Sequence, residues 1–352
     1  MGESSSVTRP EFTDIPQPDE LARAEARRRH ATLIKPAGSL GRLEELGAWI
    51  AACQGACPPR PFKRPRVVIF AGDHGVAAKG VSAYPAGATA QLVDALLKGD
   101  GAPNALAGVA GVGVRVVDLA VDAETPVQEF KVRKGSGSID TEDALTEAEV
   151  EAALRAGVAI ADAEIDAGAD LLAAGDVGAG VSTPASVLVA ALTGSEPVAV
   201  VGRGSGIDDD AWMRKAAAIR DALRRARAVL VDPIALLRTA AGADLTAMTG
   251  FLAQAAIRRT PVLLDGLASA AAALVAEELA PNARSWWVAS HRCAEPAHTL
   301  ALDHLDAKPL LDLDIRLGAG AGALAAMPLL AMAARLLTDV ATYEDAGITP
   351  PR

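Results

Sequence analysis

Aromatic side chains are scarce: five Phe, four Trp and two Tyr make up 3% of 352 residues. With alanine abundant, that scarcity argues against a β-sandwich and for helices packed closely on a sheet. Cysteine is rarer still. Cys53, Cys57 and Cys293 cannot build a disulfide framework in a chain this long. No His or second Cys pair stands near the Cys53–Cys57 spacing, so buried thiols are expected there and no metal. Basic residues number 34 against 44 acidic ones, a net charge of −10. That balance argues against a nucleic-acid binder and leaves no cationic footprint for an acidic membrane. The one basic run, Arg60–Arg66, is broken by Pro61 and Pro65 and reads as a solvated loop. The opening MGESSSVTRPEF lacks the basic start and apolar core of a signal peptide, and Gly2 with Ser6 fits a myristoylation pattern only nominally. Apolar stretches such as Ala323–Leu337 carry Arg335 or are short for a bilayer. A soluble, cytoplasmic protein is expected.

What is present is the composition of a folded domain: 51% hydrophobic and 22% charged residues. Residues 1–18 are polar and Pro-spaced, a loose leader. Leu21–Leu33 is charged and helical, and Ser39–Cys53 repeats apolar residues at helical spacing through Leu40, Leu43, Leu46 and Ile50. Short apolar runs of the buried-strand type follow: Arg66–Ala71, Val112–Leu119, Asp170–Ala174, Pro197–Val201, Pro261–Leu264 and Trp286–Ser290. Ala-rich helical stretches lie between them, at Thr183–Leu192, Asp208–Val229, Leu245–Arg258 and Leu267–Leu279. The alternation predicts an α/β chain with a parallel sheet and helices on both faces, Rossmann-like in architecture.

Ligands of such sheets bind outside the carboxyl ends of the strands. Four segments stand there. Asp73 and His74 sit between Gly72 and Gly75 after the first strand, suited to orienting a ligand or equally to bracing a loop. Gly175–Pro184 carries Asp176, Val177, Gly178, Ser182 and Thr183 into a helix, whose N-terminus offers free N–H groups to an anion. Gly202–Asp208 repeats the pattern with Gly202 and Gly204, and Lys215 lies two turns into the helix that follows. Arg316–Ala323 opens the last long helix. No Gly-Lys-Ser/Thr follows any of these glycines, and the dinucleotide spacing is wrong, which disfavours an ATPase and an NAD dehydrogenase. Several such turns in one sheet point to a phosphate-bearing ligand.

In chain order, KPAGSLG at 35–41, AGDHGV at 71–76, VSAYP at 81–85, NALA at 104–107, GDVGAG at 175–180, LLDG at 263–266, SHRCAE at 290–295 and RLGAGAG at 316–322 resemble the nicotinate-nucleotide:dimethylbenzimidazole phosphoribosyltransferases, from about residue 20 to residue 348. The resemblance implies a large α/β domain at 61–324 and a small helical domain made from both chain ends, 19–60 and 325–352, assembled as a homodimer. It implies transfer of 5-phosphoribose from nicotinate mononucleotide to an aromatic base acceptor, dimethylbenzimidazole, with no cofactor or metal. By motif matching, Ser82, Tyr84 and Gln91 would line the acceptor slot. Gly178, Gly202, Gly204 and Lys215 would hold the nucleotide, with Arg316, Leu317, Gly318 and Gly320 of the last turn. Asp73, His74, Val177, Ser182, Thr183 and Cys293 complete the candidate contacts.

The sequence departs from the family pattern at four pocket positions. Ala319 stands where the family carries its general base, a Glu, and Gly87, Val181 and Cys293 replace a Glu, an Asn and a Ser. Weak turnover with dimethylbenzimidazole, or another acceptor, is therefore expected. Asp176 is the nearest remaining carboxylate by motif, fitted to take the acceptor's proton or merely to cap its loop. Two other readings stay open: a nucleotide-binding partner of an active paralogue, and a hydrolase in which water intercepts the ribosyl group.

Overall fold

The structure, a computed structural model, describes residues 10–12, 15–85 and 87–351. The readings that concern Gly2 and Ser6 lie outside the described residues. Helix α1 (Glu20–Thr32) begins at Asp19, whose carboxylate accepts the N–H groups of Leu21 and Ala22. Helix α2 (Arg42–Gln54) ends at Gly55 in the left-handed conformation. The remainder runs β1 (Pro65–Gly72), α3 (Ala88–Lys98), α4 (Ala102–Ala110), β2 (Gly113–Ala120), α5 (Glu147–Asp166), β3 (Leu171–Val177), α6 (Ser182–Thr193), α7 (Pro197–Val200), α8 (Asp209–Ala226), α9 (Pro233–Ala240) and α10 (Ala243–Ile257). It closes with β4 (Val262–Leu264), α11 (Gly266–Leu279), β5 (Trp287–Ala289), β6 (His291–Arg292), α12 (Pro296–His304), β7 (Leu311–Asp312) and α13 (Ala321–Asp339).

Strands β1 to β5 form one parallel sheet in the order β2-β1-β3-β4-β5. Five consecutive residues of β1, Val67 to Ala71, are fully buried. Successive side chains face opposite sides, so both faces of the sheet are covered, as the expected architecture requires. The order reverses between β1 and β3, the crevice where a ligand is received in such sheets.

One expected strand is absent. Pro197–Val200 is a helical turn, with Pro197 at its first position, where a missing N–H costs nothing. A four-residue apolar run shows no period that separates a strand from a helix. The turn at 202–208 thus joins two helices, α7 and α8.

Helices α5 and α10 meet backbone to backbone. A Cβ on Gly157 would lie 1.8 Å from the Ala247 carbonyl oxygen, and one on Gly250 2.5 Å from that of Leu154. Gly157→Ala is expected to cost about 1–3 kcal/mol of stability, the range for overpacking, read as a lowered midpoint in urea unfolding.

Of the leader, Phe12 and Ile15 are buried, and the Trp286 indole donates to the Pro16 carbonyl at 2.7 Å. At the other end, α1, α2 and the end of α13 share a separate apolar cluster of Ala26, Leu33, Ala48, Ala51 and Leu337. Leu33 pairs with Thr342 in an antiparallel bridge. Helix α13 is long and apolar enough by composition to cross a membrane, yet Leu324, Met327, Leu330 and Leu337 are buried in the fold. Cys53 is buried as expected, whereas Cys57 is only half-buried, just past the end of α2; Cys293 is buried as well.

Candidate active site

A cavity of about 530 Å³ opens at the carboxyl ends of the strands. The end of β3 gives its floor, with Asp176, Val177 and Gly178, and Val181 and Ser182 follow at the start of α6. Leu92, Ala95 and Leu96 of α3 make an apolar wall at helical spacing. Ser82 and Tyr84 stand at one edge, and Arg316 to Ala319 at another. Gly266, Leu267 and Ala268 of α11, with His291, Cys293 and Glu295, complete it.

The turn at 318–320 is pinned from two strands. Gly318, Ala319 and Gly320 all have positive φ, at 70°, 54° and 80°. Such a run is strained for the alanine and holds only because its surroundings fix it. The Ala319 N–H donates to the Asp176 carbonyl at 3.0 Å. The N–H groups of Gly320 and Ala323 donate to the two carboxylate oxygens of Asp265, at 2.9 and 2.8 Å. Asp265 follows β4 and thereby satisfies free donors at the start of α13.

Asp176 lines the cavity against this turn. A Cβ on Gly318 would lie 2.8 Å from its Oδ1, so only glycine lets the turn rest against this carboxylate. Burial, then the charges of Asp265 and Asp244, push the Asp176 carboxyl up to about 7, against the opposing charge of His74. A carboxylate titrating near neutrality is suited to accept and release protons. Burial pushes the Cys293 thiol up to about 12, so it is inert as a nucleophile. Burial also lowers His291, whose Nδ1 lies 3.0 Å from Ser290 Oγ.

The cavity brings together Ser82, Tyr84, Asp176, Val177, Gly178, Ser182, Gly204, Cys293 and Arg316 to Ala319. The other expected contacts lie elsewhere. Asp73 accepts from Thr89 Oγ1 and from the Asp122 N–H, bracing its loop. His74 is buried with its Nε2 3.0 Å from Asp244 Oδ2; burial works against its charge, but the Asp244 carboxylate prevails and raises its pKa. Gln91 is exposed, one position round α3 from Leu92. Thr183 and Lys215 are fully buried behind the lining, Gly202 backs onto Glu295, and Gly320, the last residue of the turn, packs against Val67. Glu295, His291, Asp265 and the α3 wall escaped the sequence reading. Glu295 stood in the quoted SHRCAE segment, and only the fold brings it to the 202–204 turn.

Fold and site together define a phosphoribosyltransferase, and the family profile described by that word matches residues 15–348. A nicotinate-nucleotide--dimethylbenzimidazole phosphoribosyltransferase of Mycobacterium avium (strain 104) is 62% identical over 344 residues, 97% of this chain and 99% of that protein. The one from Mycobacterium tuberculosis (strain ATCC 25618 / H37Rv) is 59% identical over 342 residues, 96% of this chain and 94% of its own. The crystal structure of CobT from Thermus thermophilus superimposes with a TM-score of 0.90 at 41% identity, covering 94% of this chain and all of that one. The chain belongs to the nicotinate-nucleotide–dimethylbenzimidazole phosphoribosyltransferase family.

Proposed function

We propose that this chain transfers 5-phosphoribose from nicotinate mononucleotide to dimethylbenzimidazole, the step that makes the lower ligand of cobalamin, with Asp176 as proton acceptor. The observation that carries the reading is the Asp176 carboxylate, raised to about 7, on the cavity floor against the very turn that holds Ala319. The donor's pyridinium nitrogen is positive, so its glycosidic bond is already weak. The acceptor nitrogen bonds to C1′, nicotinate leaves with the electron pair of the broken bond, and the acceptor's N–H proton passes to Asp176. What remains for the protein is to align the two rings and exclude water. Leu92, Ala95, Leu96 and Leu267 supply an apolar slot for the flat acceptor, edged by Ser82 and Tyr84. The start of α6 at Ser182, together with Arg316 at the mouth, receives the phosphate. Lys215 acts from behind, through Ser182 Oγ, and not as a direct anchor.

Incubation with nicotinate mononucleotide, with and without dimethylbenzimidazole, tests this by chromatography of nicotinate and new nucleotide. Acceptor-dependent release of nicotinate is expected. Acceptor-independent release would make the chain a hydrolase, and binding without turnover a nucleotide-binding partner. Ala319→Glu is expected to raise turnover about tenfold, the low end for a positioned base, with donor affinity nearly unchanged. An unaltered rate in a folded variant would shift the limitation to Gly87, Val181 and Cys293.

The same reading treats 19–60 and 325–352 as a helical unit and the assembly as a homodimer. Exposed Leu106 and Val109 of α4, with Met332 on the α13 it packs against, support an apolar contact face. Light scattering at micromolar concentration should give twice the chain mass.

A further inference from the structure

The turn between α7 and α8 covers an ion pair that the proton transfer leaves unused. Lys215 of α8 is fully enclosed. Its Nζ donates to Ser182 Oγ at 3.0 Å and to the Gly202 carbonyl at 3.2 Å, and Glu295 Oε2 stands 4.0 Å away. Burial lowers the Lys215 pKa, and the Glu295 charge opposes that fall. Glu295 is itself only 6% exposed, yet it lines the cavity. Its Oε1 accepts the Gly204 N–H at 2.8 Å, while its Oε2 has no hydrogen-bond partner among the described residues. A buried carboxylate oxygen left unpaired is costly, and the cost falls away when a ligand donor fills the place. Gly202 packs directly against the group. A Cβ on Gly202 would lie 2.0 Å from Oε2, so the backbone presses on the carboxylate and only glycine leaves it room.

The chemistry of the missing partner is narrow. A phosphate is excluded at Oε2, because two anions at hydrogen-bond distance repel. Lys215 already balances the charge from behind, so a cation has little to gain there. The partner is therefore a neutral O–H or N–H donor. The acceptor's one N–H is taken by Asp176. In a nucleotide the remaining neutral donors beside the reacting carbon are the 2′- and 3′-hydroxyls of the ribose. A carboxylate reading a ribose hydroxyl is the solution that dinucleotide-binding sheets reach by another route. Ser182 and Ser205, which also line the cavity, put further hydroxyls in the same lining.

We propose that Glu295 is the ribose-reading residue: Oε2 accepts a hydrogen bond from a ribose hydroxyl of the donor, while Gly204 and Lys215 hold the carboxylate in place. This rests on the cavity being a ribosyl-transfer site. Its consequence is specificity for ribonucleotide over deoxyribonucleotide donors, together with orientation of C1′ toward the acceptor.

The test is calorimetry with nicotinate mononucleotide and its 2′-deoxy and 3′-deoxy analogues, first on the unaltered protein. One deoxy analogue should bind roughly ten- to a hundredfold more weakly than the ribonucleotide, the range for a hydrogen bond to a charged group. Glu295→Gln, equal in shape but uncharged, should cut that ratio at least severalfold. If Glu295→Gln does not fold, Glu295→Asp keeps the charge, draws the oxygen back by one methylene, and should show the same loss of discrimination. Equal affinity for all three nucleotides in the unaltered protein overturns the proposal, as does discrimination that persists in a folded variant. Failure to bind any of the three is a different result: it removes the ribosyl-transfer reading itself, and this inference with it.

Discussion

Asp176→Asn is expected to slow transfer to dimethylbenzimidazole by roughly 10²–10⁴-fold, the worth of a positioned base, while leaving affinity for nicotinate mononucleotide close to its starting value. The variant keeps the shape of the side chain and the backbone bond from Ala319, so the turn has no reason to move. The unaltered protein should show a rate that rises with pH through about 7 and then levels, because only the ionised carboxylate accepts a proton. Stability should move the opposite way. The carboxyl is raised from 3.8 to about 7 in the folded chain, so between those values the unfolded chain gives up its proton first. That penalty on folding is absent below about pH 4, grows with pH, and is complete above 7. Asp176→Asn should therefore stabilise the protein at pH 8, by up to about 4 kcal/mol, and leave it unchanged at pH 3.5. Urea unfolding at the two pH values checks this. A second background gives a sharper outcome: Ala319→Glu added to Asp176→Asn should restore part of the lost transfer. If it restores none, the two positions do not serve the same proton.

Lys215→Met is expected to destabilise the fold by about 3–5 kcal/mol at neutral pH, since it leaves the Glu295 carboxylate buried without its cation. Methionine fills most of the volume, so the loss is electrostatic and not a cavity effect. The double variant Lys215→Met with Glu295→Gln should recover much of it, because no unpaired charge remains. Two losses that simply add would mean that the residues do not act as a pair. Affinity for nicotinate mononucleotide should also fall in Lys215→Met, since Ser182 and Glu295 both lose their support.

Much of this was legible in the chain. Short apolar runs marked β1, β2 and β3, and the glycine segment at the end of β3 marked the cavity floor. Lys215 falls in phase with Ala211, Ala218, Ile219 and Ala222 on the buried stripe of α8, so the residues alone, read as a lysine on a solvated face, missed a signal that the periodicity carried. Other features were not legible, for physical reasons. Pro197–Val201 is too short to carry a period. Gln91 and Leu92 differ by one step of helical rotation, and only the start of α3 fixes which of them faces inward. Glu295 owes its role to the turn at 202–204, which reaches it only after α6, α8 and α12 have packed together. Motif residues from Ser82 to Ala319 meet in one cavity, while Asp73 and His74, which suited a ligand and a loop brace equally, brace the loop beside it.

The position of the Asp265-capped turn bears on how the protein acquires its activity during synthesis. All five strands of the sheet are complete once Ala289 has been made, but the turn that closes the cavity begins only at Arg316. Ser82 and Tyr84, emerging far earlier, wait for it across most of the chain. Contacts so distant in sequence form late, because the entropy of closing a long loop must be met before they give anything back. The Leu33–Thr342 bridge is more distant still. A nascent chain thus passes through a stage with a formed sheet and an open apolar wall at Leu92, Leu96 and Leu267. Competence for catalysis waits on the turn at Arg316, and the protein made before it is the form most in need of shielding from aggregation.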